Sequence, residues 1–142
     1  MLGLLVVTHG AVARELVAAV GKILGGINNL EAVSIDWNDD ADEATRRIEE
    51  ARERVNMGRG VLLLTDMFGG TPTNLALSML DPGQLEIVTG VNLPMLIKFF
   101  NLDRELSLAD AARQIANDAR EAIQVASQLL HAAGEAAPDG GH

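Results

Sequence analysis

The chain has 142 residues, 48% hydrophobic and 22% charged, which supplies a core and argues against disorder. Its 20 acidic and 11 basic residues leave a formal charge of −9, which sets it against phosphate backbones and anionic lipid and excludes the ordinary electrostatic route to nucleic acid. With no cysteine there are no disulfides, thiolate metal sites or cysteine nucleophiles, and no apolar run approaches the roughly 18 residues of a membrane span.

The opening run Leu2-Gly3-Leu4-Leu5-Val6-Val7 is apolar throughout, as in a strand buried on both faces. It lacks a basic lead-in and stops at Thr8-His9, too short for a signal-peptide core, so the expectation is a soluble cytoplasmic protein. After His9-Gly10, the spacing of Val12, Leu16, Ala19, Val20 and Ile23 predicts a helix, closed by Gly25-Gly26. Residues 30–35 read as a second strand, with Trp37 at its end. Ala41, Ala44, Ile48, Ala51 and Val55 then line one face of an amphipathic helix.

Val61-Leu62-Leu63-Leu64 is a third strand, and 66–70 a loop. Thr71-Pro72 reads as an N-cap followed by proline at the first helical position, and this helix runs to about Asp81-Pro82-Gly83. Residues 85–89 form a fourth strand, and Asn92 caps a short helix over 93–100. A last long helix opens at Ser107, with Leu108, Ala112, Ile115, Ala119, Ile123, Ala126 and Leu130 as its stripe. The small, polar, glycine-rich residues 132–142 read as a flexible tail behind a single domain, 1–131.

Alternating β and α units of this length predict an α/β, doubly wound, mainly parallel sheet with helices on both faces. In strand order 2-1-3-4, strands 1 and 3 are neighbours and their following helices leave to opposite faces, opening a crevice at the strands' carboxyl ends. That order brings His9 beside Asp66. A carboxylate that accepts one ring N–H fixes the imidazole tautomer and frees the other nitrogen as nucleophile or base. Gly10 and Gly69-Gly70-Thr71 lead into helix starts, where unpaired N–H groups favour an anion. Together these suggest a phosphohistidine.

Each feature also has a plainer reading. A histidine after a strand is commonly structural, Asp66 could be a turn residue, and Gly-Gly-Thr-Pro could be turn and cap chemistry alone. Met67-Phe68 could face a partner or fold back on the core. His131 and His142 lie in or near the tail. No nucleotide-binding glycine motif, serine-hydrolase elbow or metal-ligand cluster is present, so no cofactor or metal is expected.

At Thr8-His9-Gly10, at Asp66-Met67-Phe68-Gly69-Gly70-Thr71-Pro72-Thr73-Asn74 and at Thr89-Gly90-Val91-Asn92-Leu93-Pro94-Met95-Leu96, the chain resembles the IIA domains of the mannose family of the bacterial phosphoenolpyruvate-dependent sugar phosphotransferase system. The likeness spans most of residues 1–130. It implies that His9 accepts a phosphoryl group from the phosphocarrier HPr and passes it to a IIB partner, with Asp66 holding the ring and Thr71 near the phosphoryl site. On this reading, backbone N–H groups around Gly10, Gly69, Gly70 and Thr71 bind the transferred oxygens, and Met67 and Phe68 form a partner-docking rim. The resemblance also implies a homodimer with an exchanged C-terminal strand. Transport members often continue into a IIB domain, whereas this sequence stops, so the expected acceptor is a separate IIB protein. Alternatives are a regulatory phosphoprotein whose state controls a partner, or a non-catalytic anion-binding module.

Overall fold

In the computed structural model, which describes residues 1–67 and 69–135, the apolar runs become β1 (Gly3–His9), β2 (Leu30–Ile35), β3 (Val61–Thr65) and β4 (Leu85–Val88). They pair in parallel in the order β2-β1-β3-β4, as expected. Between and after them run α1 (Val12–Leu24), α2 (Ala41–Val55), α3 (Thr71–Leu77), α4 (Leu93–Phe99), α5 (Leu108–Ala122) and α6 (Ala126–Glu135).

Strand parity sorts the core into two layers. Leu4, Val6, Leu62 and Leu64 point to one face, where α1, α4 and α5 supply Val20, Leu96 and Ile115. Leu5, Val7, Val61 and Leu63 point to the other, where α2 and α3 supply Ile48, Val55 and Ala76. Both faces of β1 and β3 are therefore dry, which explains why those strands are apolar without alternation. The helices that follow β1 and β3 lie on opposite faces, so the sheet opens between them. Among the described residues no helix is long and apolar enough to cross a membrane.

Three boundaries depart from the expectation. Gly70, not Thr71, caps α3; Thr71 is the first helical residue and Pro72 the second. That helix ends at Leu77, with Ser78 as its C-cap, short of the expected stop, and Pro82 disfavours helical geometry at Asp81. Asp81 instead bridges to Leu85 and accepts from Gln84 N–H at 2.9 Å, closing a turn over Pro82 and Gly83. The last helix is two: Ile123 turns extended, with φ −83° and ψ 111°, and separates α5 from α6. Ile123 and Leu130 are 75% and 73% exposed, so the apolar repeat continues after the sheet beneath it has run out. α6 carries the chain through residues 132–135, within the stretch read as tail. It occupies the region after α5 where an exchanged strand was sought, and the described residues contain no fifth strand.

Candidate active site

Val7 and Thr65 are register partners across β1 and β3, so His9 and Asp66 leave adjacent strands at the same edge. The expected pairing is present. Asp66 Oδ2 accepts from the His9 backbone N–H at 2.9 Å and lies 2.8 Å from His9 Nδ1, while Oδ1 accepts from Met67 N–H at 2.9 Å. Partial burial pushes the Asp66 carboxyl up. Donation by the His9 backbone and ring, attraction to the ring's charge and the Met67 N–H outweigh that, and hold it below the usual aspartate range. An ionised carboxylate only accepts, so Nδ1 is the ring donor, and in the neutral ring Nε2 is the nitrogen with the lone pair.

On the other side of the ring stands Gly70. A Cβ at this position would lie 2.6 Å from His9 Cε1 and 3.1 Å from Nε2. The backbone there is ordinary, with φ −85° and ψ 171°. Close approach, not conformational freedom, is what requires glycine. Met67 Cγ would sit 3.7 Å from the same Cβ, and Met67 is 56% exposed, so of its two possible fates it takes the solvent-facing one beside the ring. Phe68, its expected companion, lies outside the described residues.

Buried hydroxyls hold these loops. Thr8 Oγ1 accepts from Ala13 N–H at 2.7 Å and so caps α1, whose own N-cap residue, Ala11, has no side-chain acceptor. Thr73, fully buried on α3, hydrogen-bonds Thr65 Oγ1 at 2.9 Å and the carbonyl of Met67. The β4 exit joins at one remove, as Val91 N–H donates to Thr65 O at 2.8 Å. None of these roles follows from pattern. The available signal was threonine in otherwise apolar strands and at the third position of a helix.

The expected anion donors fare unequally. Gly10 N–H donates to Ile35 O at 2.9 Å, extending the sheet ladder by one bond, and is thereby removed from the donors open to an anion. Among the described residues, the N–H groups of Gly69, Gly70 and Thr71 have no hydrogen-bond partner. Thr71 is exposed at the start of α3, one residue from the glycine that touches the ring. No group of three or more His, Cys, Asp or Glu that could hold a metal occurs among the described residues.

Trp37 is the residue the sequence reading passed over. His9 and Ile35 are register partners in β1 and β2, so the chain two residues past Ile35 lies beside the histidine. The Trp37 and His9 ring centroids are 5.3 Å apart with planes inclined at 38°, and the indole is 88% exposed.

Comparison with known proteins agrees with the fold. The family model described as "PTS system fructose IIA component" matches residues 3–116. The chain is 30% identical over 131 residues to the "PTS system fructose-specific EIIA component" of Bacillus subtilis, covering 92% of this chain and 90% of that one. Its fold superimposes on a phosphotransferase system component EIIA from Streptococcus agalactiae with a TM-score of 0.80, at 18% identity, over 90% and 99% of the two chains. The mannose/sorbose specific IIA subunit from Enterococcus faecalis gives a TM-score of 0.76 at 25% identity, over 87% and 93%.

Proposed function

The chain belongs to the fructose/mannose-type EIIA family of the sugar phosphotransferase system, and we propose that it is a phosphocarrier which takes a phosphoryl group onto His9 Nε2. One observation carries this reading: Nδ1 is tied to Asp66 at 2.8 Å, so the free nitrogen is the one facing Gly70.

The donor is the phosphohistidine of HPr. The Nε2 lone pair attacks phosphorus in line, the Nε2–P bond forms as the donor's N–P bond breaks, and the departing imidazole keeps that bond's electron pair. The His9 ring keeps its Nδ1 proton and becomes cationic as it acquires the phosphoryl group, a charge the Asp66 carboxylate balances at hydrogen-bond distance. Backbone N–H groups at Gly69, Gly70 and Thr71, with the Thr71 hydroxyl, hold the transferred oxygens. Both ends of the step are phosphohistidines, so it runs readily in reverse and the group moves on to a IIB protein or a regulatory target. Exposed Met67 lies where a docked partner excludes water, and Phe68 is the expected second member of that rim. We also read the protein as a cytoplasmic homodimer, since exposed Ile123, Val125, Leu129 and Leu130 leave an apolar surface for a second copy.

The test is intact mass after incubation with phosphoenolpyruvate, enzyme I and HPr. The wild type gains one phosphate that is labile in acid and stable in base, and His9→Ala gains none. Failure of the wild type to gain phosphate from an active HPr of its own host would refute the carrier role.

A further inference from the structure

We propose that Trp37 is a positioning residue for the nucleophile, its indole bearing on the His9 ring so that Nε2 is presented at a fixed tilt; this rests on the phosphocarrier reading above. The hydrogen bond to Asp66 anchors one ring atom, Nδ1, and Gly70 confines the edge at Cε1 and Nε2. Two such restraints still allow the ring to tip about the line between them. A neighbouring ring at a centroid distance of 5.3 Å limits that motion.

The indole is itself built in place. Trp37 is the second residue of a turn closed by Asp39 N–H donating to Asp36 O at 3.1 Å. Asp39 Oδ2 also accepts from Asp36 N–H at 2.8 Å and from the Arg47 guanidinium at 2.6 Å. Arg47 in turn donates to Ser34 O at 3.1 Å, tying the turn back to β2. An indole left 88% exposed on so well fastened a turn contributes little to the core, and among the described residues its one ring neighbour is the histidine.

The experiment is single-turnover phosphorylation of the full chain by phospho-HPr over a range of donor concentrations, for wild type, Trp37→Ala and Trp37→Phe. Trp37→Ala lowers the saturating rate about tenfold and leaves the half-saturating concentration unchanged, because misorientation acts on the chemical step. Trp37→Phe restores most of the rate, and melting temperatures of both variants stay at the wild-type value. An unchanged saturating rate in Trp37→Ala, or an effect confined to half-saturation, overturns the proposal and makes the indole a docking anchor at most. A wild-type chain that takes no phosphate overturns the carrier reading and this proposal with it.

Discussion

Replacing Gly70 by alanine separates the positioning of the nucleophile from the stability of the fold. The new Cβ would lie 2.6 Å from His9 Cε1, where ordinary contact begins near 3.4 Å, so the ring must retreat by about 0.8 Å. Cε1 is bonded to both nitrogens, and Nδ1 is held by Asp66, so the ring either swings Nε2 aside or loses the hydrogen bond that sets its tautomer. A displacement approaching 1 Å costs on the order of a hundredfold in rate, about 2.7 kcal/mol of barrier. The backbone at residue 70 suits alanine, and the half-buried ring can move toward solvent, so overall stability changes by less than about 1 kcal/mol. Phospho-HPr transfer rates measured beside urea unfolding distinguish the two effects. A Gly70→Ala protein that transfers at the wild-type rate would refute the reasoning, because His9 would then not need the space the glycine leaves.

Further outcomes follow from the same geometry. Asp66 has a folded-state pKa below the ordinary aspartate value of 3.8, so its contribution to stability is present above that value and is lost as pH falls below it. Asp66→Asn is accordingly less stable than wild type at pH 7, and the gap narrows by pH 3; parallel pH–stability curves for the two proteins would count against this account. Thr73→Val strips a buried hydroxyl from Thr65 and the Met67 carbonyl and should cost about 1–3 kcal/mol in denaturant unfolding, with the 66–70 loop loosened. The chain has one tryptophan and no tyrosine, so emission excited at the indole reports from beside His9 alone. Phosphorylation shifts that emission, and His9→Gln abolishes the shift.

What could be read in advance divides along physical lines. Leu4 to Val7 and Leu62 to Leu64 are dry on both sides, and that leaves an unbroken apolar run which local reading detects. The common doubly wound order 2-1-3-4, adopted from the β/α alternation, put His9 beside Asp66, because both residues sit at the exits of neighbouring strands. Trp37 could be placed at a strand end but given no role, because its neighbour depends on the register of β2 against β1, which no periodicity encodes. The α5–α6 break escaped for the opposite reason: the repeat from Leu108 to Leu130 persists, and only the end of the sheet decides where it stops mattering. The Gly10 N–H completes a ladder with Ile35 and so is not itself an open donor, a competition that composition cannot reveal.

One oxygen, Asp66 Oδ2, receives both the main chain and the ring of His9. The contact that orients the reactive nitrogen is thereby also a rung between the ends of two central strands. A shift of the Asp66 carboxylate therefore disturbs the sheet edge and the ring together, and the protection of the His9 amide against hydrogen exchange becomes a gauge of how often that carboxylate is out of place. Substitutions remote from the crevice that fray the carboxyl end of β1 or β3 will register as slower transfer before they register as unfolding.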